Sequence, residues 1–193
     1  MVKIIGISGS PRRSGNTEIL LDAALEGAAF LGAVTEKVIV NELSLGPCLG
    51  CYRCVKNGTC VIKDDIHAIY KKLDDADGII IASPIYFGSL TAQLKTMVDR
   101  FQPQWVRTHS SKKPLAKKKL RRGIFLCVSG DDKIKFFRNA RSIVRYLFAT
   151  LNIKYLGGLF AGGISEAGDI NKRPRALKKA FNMGSELAAG LKR

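Results

Sequence analysis

Short apolar runs alternate with segments of helical period along this chain, and that alternation limits the architecture more than any other feature. Runs at 2–8, 36–40, 78–82, 123–128 and 155–161 read as strands, and the segments 16–31, 64–75, 91–101, 134–151 and 174–191 read as helices. Asp64 and Asp65 suit the start of the second helix. Strand and helix in turn form the pattern of an α/β doubly wound parallel sheet with five strands. With 193 residues and 46% hydrophobic content the chain can bury a core without staples, so one domain over 1–193 is expected. No internal repeat or low-complexity tail interrupts it. The one long irregular connection, 102–120, exceeds ordinary loop length and suits a subunit contact or a lid. The amino terminus runs from Met1 straight into the first strand without the features of a secretory signal, and no stretch of about eighteen apolar residues occurs. A cytoplasmic protein with no membrane span is therefore expected.

In such a sheet, ligands bind beyond the carboxyl ends of the strands, where neighbouring connections diverge. The first strand ends there in Ser8-Gly9-Ser10-Pro11-Arg12-Arg13-Ser14-Gly15-Asn16-Thr17, a loop rich in small residues and hydroxyls. It leads into a helix amino terminus, whose free N–H groups and positive dipole end favour a phosphate. Ser10, Ser14, Asn16 and Thr17 offer side-chain donors, and Arg12 a charge. The loop has neither the Gly-Lys ending of a Walker loop nor the Gly-x-Gly-x-x-Gly dinucleotide fingerprint, which favours a terminal monophosphate over a triphosphate or pyrophosphate. A helix cap joined to a tight turn would account for Ser14 and Asn16 but not for the whole loop. The third strand ends in Ser83-Pro84-Ile85-Tyr86-Phe87-Gly88-Ser89, where aromatic side chains beside a glycine with bare backbone can frame a flat ring. Taken singly, Tyr86 and Phe87 are core or interface types, but their place after the third strand favours the ring slot. Cys127-Val128-Ser129-Gly130-Asp131, at the end of the fourth strand, reaches the same rim.

Four of the five cysteines lie within thirteen residues, as Cys48-x2-Cys51-x2-Cys54-x5-Cys60. Three thiolates spaced by two residues can wrap one compact metal and sulfide cube from neighbouring turns, with a fourth arriving from downstream. The loop 44–63 therefore reads first as a [4Fe-4S] ligand loop. Zinc competes, although structural zinc takes two cysteine pairs separated by a longer finger, and free redox thiols or disulfides are the third reading. Cys127 ends an apolar strand and reads as a buried small hydrophobe.

Part of the formal charge of +16 lies in Lys112, Lys113, Lys117, Lys118, Lys119, Arg121 and Arg122. That run lacks the interleaved aromatics of single-strand binders, which argues against nucleic acid. A zinc-holding nucleic-acid binder would also leave the loops after the first and third strands unexplained. The run suits a solvated connection before a buried strand, or in its functional version a docking surface for an acidic electron carrier such as a ferredoxin. The two histidines are His67, in an expected helix, and His109, in the basic connection, so no catalytic acid, base or nucleophile is expected. Trp105 suits stacking near a flat ring or anchoring a subunit interface, and Asp99 and Arg100 suit a structural ion pair or an interface contact.

Together the loop 8–17, the Ser83-to-Gly88 segment and the cysteine run resemble the flavodoxin-like iron-sulfur flavoproteins of anaerobic archaea and bacteria, within the wider NADPH-dependent FMN reductase superfamily. The resemblance rests on specific motifs over residues 1–101 and on the order of elements beyond them. It implies a sheet order of 2-1-3-4-5 with the cysteine-rich loop after the second strand. It also implies FMN, with its phosphate at Ser8, Ser10, Arg12, Ser14, Gly15, Asn16 and Thr17 and its isoalloxazine near Pro84, Ile85, Tyr86, Phe87 and Gly88, with Ser129 on the same rim. A [4Fe-4S] cluster would sit on Cys48, Cys51, Cys54 and Cys60. The implied function is electron transfer, coupling two-electron FMN to a one-electron cluster in a homodimer or homotetramer linked to a ferredoxin. Similar reductases carry a Cys-x-Gly-Cys segment without a cluster, so a cluster-free NAD(P)H-dependent FMN, quinone or nitro-compound reductase is the alternative.

Overall fold

A computed structural model describes residues 1–109 and 121–192. Five parallel strands, β1 (Lys3–Ser8), β2 (Val34–Ile39), β3 (Gly78–Pro84), β4 (Arg121–Val128) and β5 (Ile153–Ala161), stand in the order β2-β1-β3-β4-β5. Ile5 pairs with Glu36 on one side and Ile79 on the other, so the sheet changes its direction of growth at β1. A crevice opens at such a switch. The helices are α1 (Asn16–Phe30), α2 (Arg53–Asn57), α3 (Ile66–Asp75), α4 (Ala92–Asp99), α5 (Gln102–His109), α6 (Ile134–Thr150) and α7 (Pro174–Leu191). Among the described residues no helix is long and apolar enough to cross a membrane.

Successive strand residues face opposite sides, and both sides are covered. Ile4, Ile80, Ala82, Ile124 and Leu126 pack with Leu20, Leu21 and Ala24 of α1 and with Ala180, Leu187 and Leu191 of α7. Ile5, Ile7, Ile79, Ile81, Phe125 and Cys127 pack on the other side with Ile69 and Leu73 of α3, Leu94 and Met97 of α4, and Val144 and Leu147 of α6. Cys127 is fully buried, as its strand position predicts, and burial pushes its thiol pKa up.

Helices α1 and α7 meet backbone to backbone. A Cβ on Gly27 would stand 2.0 Å from the Phe181 carbonyl oxygen, and one on Gly184 would stand 1.8 Å from that of Ala24. Ser185 Oγ donates to Gly27 O at 2.9 Å in the same crossing. Helix α7 is thereby fixed against α1, whose amino terminus follows the loop 8–17, the phosphate loop of the expected site.

The structure revises three expectations. Residues 102–109 of the supposed irregular connection form α5, with Pro103 in its first turn, where the missing N–H has no intrahelical partner to lose. Lys112, Lys113, Lys117, Lys118 and Lys119 lie outside the described residues. Arg121 and Arg122 belong to β4, and Arg121 is buried, donating to the carbonyl oxygens of Leu73 and Leu151 near the ends of α3 and α6. It is a helix-end cap, not part of a solvated basic face. Finally, β2 and β5 each begin two residues earlier than expected, because backbone pairing extends them: Lys3 pairs with Val34, whose side chain is exposed, and Arg121 pairs with Ile153, whose side chain is buried.

Candidate functional site: a switch-point cleft and a cavity of four thiols

Three loops singled out in the sequence converge at the carboxyl ends of the strands. Ser10, Arg12, Arg13, Ser14, Gly15, Asn16 and Thr17 share one cleft of about 310 Å³ with Pro84, Ile85 and Tyr86 after β3 and with Val128, Ser129 and Gly130 after β4. Ser8, Phe87 and Gly88 flank this cleft without lining it. Ile164, Ser165 and Ala167, after β5, complete the lining together with Arg13, and the sequence reading did not single these out. The available signal was the small-residue run Gly162-Gly163-Ile164-Ser165, which repeats the character of the loop after β4.

The phosphate loop is held from beneath by a buried acid. Glu18 accepts from Ser14 N at 2.8 Å, from Lys37 Nζ at 2.8 Å and from Arg13 Nη2 at 3.3 Å. Burial alone would raise the Glu18 carboxyl pKa, but Lys37, the Ser14 N–H and Arg13 hold it below its ordinary value. Ser10 Oγ accepts from Arg12 N and donates to Arg12 O, both at 3.1 Å, which fixes the turn. Asn16 ties the loop to the connection after β5: its Nδ2 donates to Glu166 O at 2.7 Å and its Oδ1 accepts from Ile170 N at 3.1 Å. No side chain caps the first turn of α1, which leaves its N–H groups to an anion. Ser8 Oγ is buried at the head of the loop with no hydrogen-bond partner among the described residues.

Beside it, the segment 83–89, the ring loop of the expected site, turns through two left-handed residues, Phe87 at φ 49° and Gly88 at φ 74°. Tyr86 and Ser89 exchange N–H···O bonds of 3.0 and 3.1 Å across that turn, and Ile85 N donates to Val128 O at 2.8 Å. The Phe87 side chain is fully exposed. A Cβ at Gly88 would come within 3.0 Å of the Phe136 ring, so this position stays bare.

Cys48, Cys51, Cys54 and Cys60 all line a second cavity, of about 280 Å³, whose walls include Leu49, Tyr52, Val55, Ile62, Pro103, Trp105 and Val106. All four are free thiols. Gly50, Tyr52 and Gly58 take left-handed φ values of 61°, 56° and 67°, and these turns carry the chain around the cavity with α2 between the last two. Burial, then the neighbouring cysteines, raise the Cys54 thiol pKa. Among the described residues, no three His, Cys, Asp or Glu side chains form a group that could hold a metal ion. Among the described residues, three of the four non-glycine positions at positive φ, namely Ser14, Tyr52 and Phe87, fall in the phosphate, cysteine and ring loops. Such conformations cost roughly 1–3 kcal/mol each and persist where surrounding structure enforces them.

Arg100, at the carboxyl end of α4, lies wholly buried against the cysteine loop. Its Nη1 donates to Gly46 O and Asp64 Oδ2, both at 2.6 Å, and its Nη2 to Asp64 Oδ1 at 3.0 Å and Cys60 Sγ at 3.4 Å. Arg100 thus makes the structural ion pair expected of it, with Asp64, while Asp99 pairs with Lys95 at 2.8 Å. Trp105 lines the cysteine cavity instead of the cleft, stacks on His109 at 4.7 Å and donates to Tyr146 OH at 3.1 Å. His67 and His109 bond to the backbone oxygens of Ile62 and Trp105, and neither lines either cavity.

The chain matches the NADPH-dependent FMN reductase family over residues 2–134. It is 49% identical over 102 residues to an iron-sulfur flavoprotein of Methanocaldococcus jannaschii, a match covering 53% of this chain and about half, 53%, of that protein's length. To an iron-sulfur flavoprotein of Archaeoglobus fulgidus it is 33% identical over 187 residues, covering 97% of this chain and 79% of that one. Among solved structures, the NAD(P)H:quinone oxidoreductase from Methanothermobacter marburgensis superposes with a TM-score of 0.75 at 19% identity, covering 97% and 96% of the two chains. That last likeness establishes a shared fold.

Proposed function

Because this chain belongs to the iron-sulfur flavoproteins of the NADPH-dependent FMN reductase family, we propose that it is an electron-transfer oxidoreductase coupling FMN in the strand-end cleft to a [4Fe-4S] cluster in the cysteine cavity. The observation that carries the cluster is that all four closely spaced thiols line one cavity, while the fifth cysteine is sealed inside the sheet. A single zinc ion would need its sulfurs within about 2.3 Å of one point. Structural zinc also takes two cysteine pairs separated by a longer finger, whereas three cysteines spaced by two residues with a fourth downstream suit a cube. For FMN, the uncapped first turn of α1 and the Arg12 charge fit a monophosphate, with the Ser8 hydroxyl, unpaired among the described residues, buried at the head of the same loop, and the bare Gly88 backbone beside Tyr86 and Phe87 fits the edge of a ring.

When bound, FMN exchanges electrons in pairs or singly and the cluster exchanges them one at a time, so the two together convert between these modes. The protein's own part is to bind and orient. Leu49, Tyr52, Val55, Pro103 and Trp105 give the cysteine cavity an apolar wall, while Cys48 and Cys51 themselves are exposed. A homodimer or homotetramer, a cytoplasmic location where thiols stay reduced, and a ferredoxin or other acidic carrier drawn by the charge of +16 complete the reading.

The test is anaerobic purification with a visible spectrum and assays of iron, sulfide and flavin, on the wild type and on Cys51→Ala. Flavin bands with broad absorption near ~400 nm and about four irons per chain, lost on substitution, are expected. Flavin without iron after anaerobic reconstitution would replace this reading with a cluster-free NAD(P)H-dependent reductase.

A further inference from the structure

We propose that Arg100 is the positioning residue of the cysteine cavity: its guanidinium closes the ligand loop at both ends and donates an N–H to the Cys60 sulfur, and so sets the potential of the cluster held there. This rests on the [4Fe-4S] reading above.

A buried guanidinium needs a counter-charge, and the bidentate Asp64 carboxylate already supplies one. The remaining contacts therefore call for a separate account. They fall on the cysteine loop alone: Gly46 O, two residues before the first cysteine, Ile62 O, two residues after the last, at 3.5 Å, and Cys60 Sγ itself. Asp64 works on the same loop, accepting from Gly46 N at 3.1 Å, so the pair holds both polar groups of the Gly46 backbone. Tyr70, whose hydroxyl donates to Arg100 O, anchors the backbone from which the side chain reaches. One donor is left over. Arg100 Nε is buried with no partner among the described residues, on a side chain that lines the cavity shared by the four sulfurs. A buried donor without an acceptor is expensive, and an anionic metal–sulfur group in that cavity is the acceptor the site lacks.

Hydrogen bonds to ligand sulfur and a fixed positive charge both favour the reduced, more negative state of a cluster, so Arg100 raises its midpoint potential. Lysine cannot substitute, because a single ammonium does not reproduce the fork that reaches Gly46, Asp64 and Cys60 together.

The test compares anaerobically reconstituted wild type, Arg100→Lys and Asp64→Asn by iron and sulfide content and by the midpoint potential from a redox titration followed by electron paramagnetic resonance. Arg100→Lys is expected to shift the potential to more negative values. Asp64→Asn, which deletes a negative charge and keeps the N–H···S donor, is expected to shift it to more positive values. A merely structural role would move both variants the same way or neither, and either result overturns the inference while leaving the cluster in place. If Arg100→Lys does not fold, Asp64→Asn decides: a positive shift supports the inference, and no shift or a negative one overturns it. A wild type that takes up no iron overturns the cluster reading and this inference together.

Discussion

Thr91 and Gly9, 82 positions apart, are joined by a buried hydrogen bond in which Thr91 Oγ1 donates to Gly9 O at 2.6 Å. The same oxygen accepts from Leu94 N at 3.3 Å, so one hydroxyl caps α4 and holds the start of the phosphate loop. Gly9 is small of necessity, since a Cβ there would stand 2.7 Å from Leu94 Cβ. The phosphate loop and the segment that follows the ring loop therefore form one rigid block. Thr91→Val preserves the shape but strands the Gly9 carbonyl and uncaps the helix, at a cost of about 1–3 kcal/mol. Calorimetry of the flavin-free protein should show a lower Tm, by roughly 2–4 °C per kcal/mol for a chain of this size. An unchanged Tm would mean that water takes over the hydroxyl's role.

Ser8 predicts the opposite pattern. Its hydroxyl is buried and unpaired among the described residues, so Ser8→Ala removes an unsatisfied group and should leave the stability of the flavin-free protein unchanged or slightly raised. If the hydroxyl serves the FMN phosphate, the same substitution weakens FMN binding by about tenfold, the equivalent of ~1.4 kcal/mol. Titration calorimetry with FMN, paired with a denaturant curve, separates the two effects. A stability loss with full FMN affinity would assign Ser8 to the fold alone.

The two packed faces follow from runs such as Ile79-Ile80-Ile81-Ala82, in which each neighbour faces the opposite core and nothing need be polar, whereas the strand order came from the family resemblance and is the order observed. The convergence of the phosphate, ring and Ser129 loops was legible for a related reason: parallel strands deliver their following loops to one edge. Other features were not legible because they depend on partners distant in sequence. Arg121 reads as one more cation in a basic run, and only the facing carbonyls of Leu73 and Leu151 make it a buried cap. Helix α5 was hidden by Pro103 and by polar composition, and it is held between the cysteine loop, where Arg107 Nε donates to Gly58 O at 3.2 Å, and α6, where Thr108 Oγ1 donates to Thr150 O at 3.1 Å. Asn16 lines the cleft, and its position alone does not reveal that both ends of its amide reach a loop 150 residues away.

The α1–α7 crossing predicts a sharp intolerance at two glycines. Gly184→Ala would press a methyl group 1.8 Å from a helix carbonyl oxygen, and neither backbone can yield without separating the helices. Overpacking of this kind costs about 1–3 kcal/mol or more, and a fall in the urea midpoint with an unchanged m-value is the expected reading. Gly50 provides the contrast. It has open space around its α-carbon but a φ of 61°, so Gly50→Ala should cost only the left-handed strain, about 1–2 kcal/mol, confined to the cysteine loop. Equal losses at the two sites would refute the close-approach argument.

Asp64 gives the cysteine loop a defined acid sensitivity. Burial alone would raise its carboxyl pKa, but Arg100 and the N–H groups of Gly46 and Ile66 hold it below its ordinary value of 3.8. A folded pKa below the unfolded one means that the unfolded chain binds the proton more readily. The carboxylate's contribution is therefore full well above pH 3.8 and is lost as pH falls through the lower folded value. Trp105, the single tryptophan, lines the cavity and reports on the loop by fluorescence. In metal-free protein its emission should change in that acid window. Asp64→Asn should be less stable at neutral pH, because Arg100 loses its counter-charge, and should show a flatter stability profile through the same window. Glu18, Glu36, Asp131 and Asp169, whose carboxyls are also held below their ordinary values, titrate in both proteins and cancel in the difference. An acid transition unaltered by Asp64→Asn would assign it to those other carboxylates and remove Asp64 as the acid trigger of the loop.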